Sequence, residues 1–300
     1  MVTAKSKILN SFRKIFTYPP FEKIMLFFLR GTKYLGFWSK FIPNPVLYDF
    51  NSVRKVKRGG INYSLDLSCM MQWYVYWDFK ARDREKLYSL VKKGDVVFDV
   101  GTNIGETLLN FARLTGEHGY VYGFEPDEEN YNNVQENISL NSFKNVHVFK
   151  KAVSDKKETV KLWCIEPHNR GMNRILEPGQ EQEGQFTTLE TTTLDTVVLE
   201  NSIDRLDVMK IDIEGYEMHA LRGAVNTLKQ FKPALFIEVG YTRLIKNKTT
   251  PNDLVKLLED LGYSIFHSET DKPITSNYDF SYLGDGGVDV FAVNKQIDLK

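Results

Sequence analysis

Two stretches of this 300-residue chain combine carboxylates with glycines in a pattern able to do chemistry. In FDVGTNIGET, Phe98 to Thr107, Asp99 is followed by Gly101 and Gly105. In MKIDIEGYE, Met209 to Glu217, Lys210, Asp212 and Glu214 alternate with Ile211 and Ile213. Glu238 lies near the end of a third run, ALFIEV, 234–239. Asp212, Glu214 and Glu238 can serve as a general base on a hydroxyl, remain ionised beside a cation, or hold a divalent metal together. Lys210 shares a strand face with Asp212, as its charge partner or as a proton-transfer group. Glu214 also has a plainer reading, a helix cap paired with Lys210.

These residues need a scaffold that brings strand ends together. VVFDV, 96–100, reads as a strand, the glycine turn follows it, and Thr107 to Leu114 supplies the apolar face of a helix. YVYGF, 120–124, is a second strand and is followed by Glu125. A glycine turn between strand and helix, with an acid after the next strand, is how an open α/β sheet grips an adenosine-containing cofactor. Gly101 permits a sharp turn and a close approach of backbone to ligand, and Gly105 lets the helix start pack on the first strand. Thr102 and Asn103 can offer N–H groups to a ligand carboxylate. Glu125, with Asp127 as substitute, can accept from a ribose diol. In KKAVSD, Ala152 and Val153 can pack on an adenine ring while Ser154 or Asp155 bonds its amino edge.

Charge narrows the cofactor. The full G-x-G-x-x-G pattern is absent because position 103 is Asn, and a pyrophosphate would approach the like-charged Asp99. S-adenosylmethionine has no phosphate and presents a sulfonium and an ammonium, which favour a nearby carboxylate. No G-K-[S/T] follows the turn, so a Walker-type nucleotide site is excluded. The two enzyme readings left are methyl transfer and nicotinamide-dependent redox chemistry. A non-catalytic glycan-assembly or binding protein is a third reading, and N-methylation of a protein or lipid headgroup, rather than O-methylation, is a fourth.

Beyond these motifs strands and helices alternate to VDVFAV, 288–293, which implies a mostly parallel sheet covered on both faces. The alternation is interrupted by TVKLWCI, a polar stretch, and FTTLETTTLDTVV, read as extra strands with an inserted loop at about 165–185. His168, Arg170 and Asn173 in that loop are the candidates for substrate contact. The five histidines form no metal motif and no G-x-S-x-G elbow occurs.

Composition sets the outer limits. Hydrophobic content is 42%, with 20 Phe and 15 Tyr, enough for a sizeable core. Net charge is zero but uneven: residues 1–40 hold eight Lys or Arg and one acid, Glu22. This excludes a chain-wide nucleic-acid binder. The two cysteines, Cys69 and Cys164, suggest no disulfide framework, so a reducing, cytoplasmic setting is expected. Residues 1–60 read as a helical, basic and aromatic arm broken by prolines, and 61–300 as the main domain with its core at 91–293. The arm is expected to pack on the domain or on a partner subunit, as in a homodimer, or through 1–45 to contact an anionic membrane surface. Its longest apolar run, IMLFFL, is too short to cross a bilayer and poorly placed for a signal peptide.

Taken as an ordered set, VVFDVGTNIGET, YGFEPDEENYNNVQENISLN, KAVSD, TTLDTV, DVMKIDIEGYEMHALRGA and KPALFIEV resemble the FkbM family of S-adenosylmethionine-dependent methyltransferases. The resemblance covers roughly 90–293. It implies a class I methyltransferase fold, Rossmann-like, with a seven-stranded sheet whose last strand is antiparallel. It carries the cofactor loop onto Asp99, Gly101, Asn103 and Gly105, the ribose acid onto Glu125, the adenine side onto Ala152–Asp155, and the motif after strand four onto Asp212, Glu214 and Gly215. Characterised members are mostly O-methyltransferases, often of sugar hydroxyls, so a small-molecule or glycan acceptor is implied and the metal requirement stays open. This chain has Gly240 two places after Glu238, where many relatives carry a polar residue or histidine.

Overall fold

The computed structural model describes residues 4–29, 37–79, 82–164, 171–176 and 183–294. The chain divides into two compact units, Met1–Ala81 with Glu166–Gly171, and Arg82–Ile165 with Met172–Lys300.

The second unit is built on one sheet whose seven main strands are labelled here β1 Val96–Val100, β2 Tyr120–Phe124, β3 Val146–Phe149, β4 Val208–Ile211, β5 Ala234–Gly240, β6 Tyr263–His267 and β7 Gly287–Asn294. Their spatial order is 3-2-1-4-5-7-6, with the two-residue strand Pro273–Ile274 beyond β6 as an eighth. β1 to β5 pair in parallel, whereas β7 runs antiparallel to both β5 and β6. This is the Rossmann-like class I methyltransferase fold, with one edge strand more than expected. The strand order reverses between β1 and β4, and the crevice at the carboxyl ends of open parallel sheets lies at such a reversal.

Alternation of side chains assigns the layers. Phe98, Val100, Met209, Ile211, Leu235 and Ile237 enter one core. Val97, Val121, Val208 and Phe236 enter the other, with Leu108, Phe111 and Val134. The helices are α1 Arg82–Ser89, α2 Glu106–Thr115, α3 Glu128–Ser139, α4 Leu194–Glu200, α5 Glu217–Arg222, α6 Val225–Phe231, α7 Tyr241–Lys246 and α8 Pro251–Asp260. α8 starts as its sequence dictates: Thr250 accepts from the Asp253 N–H and Pro251 takes the first turn. The stretch GYEMHALRGAVNTLKQF forms two helices, α5 and α6, interrupted at Gly223–Ala224. A Cβ on Gly223 would stand 2.1 Å from the Ser154 carbonyl oxygen, so this break seats the chain against the 152–155 segment.

The interruption before β4 forms a second sheet, ordered Ala152–Val153, Gln185–Thr192, Thr159–Cys164, Arg174–Leu176. The expected loop at 165–185 therefore contains a strand, Arg174–Leu176, which pairs antiparallel with Lys161–Trp163.

The first unit corrects the reading of 1–60 as helical. Val53–Arg58 is a strand, paired antiparallel with Ile61–Asp66 through Gly59 and Gly60, both at positive φ. VRKVKR-GG-INYSLD has the two-residue glycine turn of a hairpin between alternating strands. The expected boundary after residue 60 falls in that turn, with both strands in the first unit. Helices Ala4–Ile15, Pro19–Leu29 and Met70–Tyr76 complete the unit. Its polar core is Glu22, 1% exposed, which accepts from Arg54 Nε and Nη2 at 2.9 Å and from the Tyr76 hydroxyl at 3.1 Å. Among the described residues no helix is long and apolar enough to cross a membrane.

Candidate active site

The register of β1 and β4 puts Lys210 beside Asp99, one pair before the strand ends. Both point to the face of Val97 and Val208, as do Asp212 and Glu238 by alternation. Lys210 Nζ donates to the Gly101 carbonyl at 2.7 Å and stands 3.4 Å from both Asp99 Oδ1 and Asp212 Oδ2. Asp99 is fully buried and also accepts from the Thr107 hydroxyl at 2.7 Å. Burial raises the Asp99 pKa despite Lys210 and Thr107. Burial alone would lower that of Lys210, but Asp212 and Asp99 hold it above the ordinary lysine value. The cation against Asp99 in this structure is thus the chain's own lysine.

The glycine turn holds the strand ends together. Gly101 has φ +85, and a Cβ there would lie 1.8 Å from the Asp212 carbonyl oxygen. The close approach expected at this glycine is therefore made by the end of β4. Gly105, φ +87, faces Val134 of α3 at 3.5 Å rather than β1, so its conformation, not its space, demands glycine. Thr102 is committed inside: its N–H donates to the Phe124 carbonyl, and its hydroxyl donates to the Asp99 carbonyl while accepting from the Phe124 N–H. The Asn103 N–H donates to Glu125 Oε2 at 2.7 Å. Neither N–H is open to a ligand carboxylate, as the sequence reading had them.

Glu125, at the end of β2, is 5% exposed and accepts one backbone N–H at each oxygen, from Asn103 and from Asp127. Each oxygen retains a lone pair, so the group fits a ribose diol. Burial, against those two hydrogen bonds, pushes its pKa up to about 8. The folded chain then keeps this proton where an unfolded chain loses it, at an ordinary value of 4.5. Stability therefore falls as pH rises across that window. In thermal melts of ligand-free protein, Tm will fall from about pH 5 to about pH 8, and Glu125→Gln will flatten the fall. Asp127, the substitute acid, instead caps α3, accepting from the Glu129 and Asn130 N–H groups.

The expected adenine segment is mostly interior. Ala152, Val153 and Ser154 are buried, Val153 within the main core, and the Ser154 N–H donates to the Thr192 carbonyl. Asp155 alone of the four is partly exposed. His168 and Arg170 lie outside the described residues. Asn173 donates to Asp127 Oδ2 at 3.2 Å, which places it at the β2 end of the crevice.

At the β4 and β5 ends, Asp212, Glu214 and Glu238 bring carboxylate oxygens within 4.8 Å of one another. Glu214 adopts φ +57, a strained conformation for a side-chain-bearing residue. Its partner is not Lys210 but Arg243, whose Nη1 lies 3.2 Å from Glu214 Oε2 and whose Nη2 lies 2.7 Å from Glu238 Oε1. The cap expected of Glu214 is made by Glu217, which accepts from the Ile213 and Gly215 N–H groups. Burial next to Asp212 raises Glu214 to about 7 and holds Glu238 well above the usual carboxylate range, Arg243 opposing in both cases. Asp212, its side chain 45% exposed, is held below the ordinary aspartate value. Burial pulls the other way there, and Lys210 outweighs it.

Arg243 was missed on sequence. Its cradle is three glycines: a Cβ on Gly240 would lie 2.4 Å from its Nε, one on Gly287 2.8 Å from its Nη2, and one on Gly215 2.8 Å from its Cβ. The three carboxylates are of the type a hard divalent cation takes. Two of them already hold a guanidinium, so a metal would have to share or displace Arg243.

The family profile described as "Methyltransferase FkbM domain" matches residues 99–265, more than half of the chain. The hexuronic acid methyltransferase AglP of Haloferax volcanii is 23% identical over 186 residues, covering 60% of this chain and 73% of that protein. A crystal structure of Methyltransferase FkbM from Methylobacillus flagellatus aligns at 19% identity and TM-score 0.41, over 68% of this chain but only 44% of that one. A SAM dependent methyltransferase from Aquifex aeolicus aligns at 18% identity and TM-score 0.39, over 70% of this chain and 88% of that one.

Proposed function

Since this chain belongs to the FkbM methyltransferase domain family and is an S-adenosylmethionine-dependent methyltransferase, we propose that it transfers the methyl group to a hydroxyl of a saccharide, with a uronic acid as the leading acceptor. The observation that carries this reading is the convergence of Asp212, Glu214 and Glu238 beside the glycine turn. An alcohol needs its proton taken as it attacks, whereas a neutral amine needs less help. AglP, a relative named for hexuronic acid, supports the sugar class. The nicotinamide alternative is set aside by the family match.

S-adenosylmethionine supplies, when bound, an electrophilic methyl group on a sulfonium. Glu125 and the Gly101 turn hold the cofactor side, and the β4 and β5 carboxylates face the acceptor. Of the three, Asp212 is a poor base, because Lys210 keeps it ionised and weakly basic, suited to stabilising positive charge. Glu214, titrating at about 7, is matched to taking a proton at neutral pH. Arg243 fixes Glu214 and orients it beside Glu238.

Glu214→Gln will lower kcat by about 10²–10⁴-fold, the usual contribution of a positioned base. The wild-type rate will rise with pH through about 7 as Glu214 loses its proton, and the variant will lose that limb. The acceptor class is tested by incubating the protein with methyl-labelled S-adenosylmethionine and glucuronate-terminated oligosaccharides, neutral oligosaccharides and amines. Label on a sugar oxygen is expected, and label on nitrogen alone would overturn the reading.

A further inference from the structure

Two helices of the first unit, Ala4–Ile15 and Pro19–Leu29, carry large exposed apolar side chains. Phe12, Ile15, Phe21, Ile24, Phe27 and Phe28 are each 43–66% exposed. On Pro19–Leu29, the last four of these fall within one arc of about 120° at helical spacing. The other side of that helix is anchored. Met25 is 1% exposed, and Glu22 is held by Arg54 and Tyr76 in the unit's own core. The helix is thus fixed by one face and largely exposed on another, and an exposed apolar patch of this kind marks an interaction surface.

Charge selects the occupant. The one acid among residues 1–40, Glu22, is buried in its pair with Arg54, so the eight basic residues of that stretch have no exposed acid among them. Lys14 and Lys23 are exposed beside the apolar side chains. A second copy of this face would bring like charges together, whereas an anionic bilayer complements both the charge and the apolar side chains. At 11 residues the helix is about 16 Å long, against a hydrocarbon core of about 30 Å, so it would lie on the surface. We propose that this face docks the protein on an anionic membrane, with the phenylalanines at the boundary of headgroups and acyl chains and Lys14 and Lys23 on lipid phosphates. The inference is independent of the acceptor assigned above.

The test is co-sedimentation of the full chain with vesicles of phosphatidylcholine and phosphatidylglycerol in a two-to-one ratio, and with phosphatidylcholine alone. The protein will pellet with the anionic vesicles at low salt and release as salt rises. Phe27→Ser/Phe28→Ser will weaken partitioning by about tenfold or more. Lys14→Glu/Lys23→Glu, which alters exposed side chains only and so spares folding, will weaken it on anionic vesicles. Circular dichroism and S-adenosylhomocysteine binding will match wild type in both variants. Equal recovery in the supernatant with both vesicles at low salt would overturn the proposal. So would equal binding to neutral vesicles, or a self-associated species that Phe27→Ser/Phe28→Ser dissociates.

Discussion

Gly101→Ala will abolish measurable cofactor binding and lower the melting temperature, whereas Gly105→Ala will leave a weakened but working site. Both glycines have φ near +85, at +85 and +87, so an alanine at either position carries a backbone cost of roughly 1–3 kcal/mol. They differ in what the new Cβ meets. At Gly101 it meets the Asp212 carbonyl oxygen at 1.8 Å, a backbone atom that cannot swing aside. β1 and β4 would have to part there, taking Gly101 from Lys210 and Asp212 from the carboxylate group. At Gly105 the nearest atom is a Val134 methyl at an ordinary 3.5 Å. Calorimetry with S-adenosylhomocysteine will show at least about a 100-fold loss for Gly101→Ala and about tenfold for Gly105→Ala, tenfold being 1.4 kcal/mol.

Lys210→Met will destabilise the fold by about 3–5 kcal/mol, because it strands the fully buried Asp99 carboxylate without its cation. Only the Thr107 hydroxyl would remain on that carboxylate. In a protein of this size the loss corresponds to a fall in Tm of roughly 10 °C. Adding Asp99→Asn removes the stranded charge and will recover a substantial part of the loss in the double variant. If Lys210 were only a surface partner of Asp212, Lys210→Met would change stability by about 1 kcal/mol or less and Asp99→Asn would not rescue it.

The sheet was legible because its strands are short apolar runs bounded by turn residues: VVFDV, YVYGF and ALFIEV fall where expected, and Thr250-Pro251 marks a helix start. The carboxylate group was legible too, since alternation alone puts Lys210 and Asp212 on one face. Partners distant in sequence were not. Nothing local announces that the Gly101 Cβ position is filled by the Asp212 carbonyl, or that Asn173 reaches back to Asp127. Arg243 left one trace. Gly240 has no side chain where Arg243 Nε sits. The missed strand Val53–Arg58 is a different failure: its alternating pattern and Gly59-Gly60 turn were visible, but the basic side chains were read as part of a helical arm.

The most direct test of how the site is divided is S-adenosylhomocysteine affinity in Glu125→Gln and Glu214→Gln, measured side by side with wild type by calorimetry. The account predicts a loss of about 10–100-fold for Glu125→Gln, as the carboxyl's hydrogen bonds to the ribose diol are lost, and wild-type affinity for Glu214→Gln. The reverse result, with Glu214→Gln failing to bind and Glu125→Gln unaffected, would contradict it.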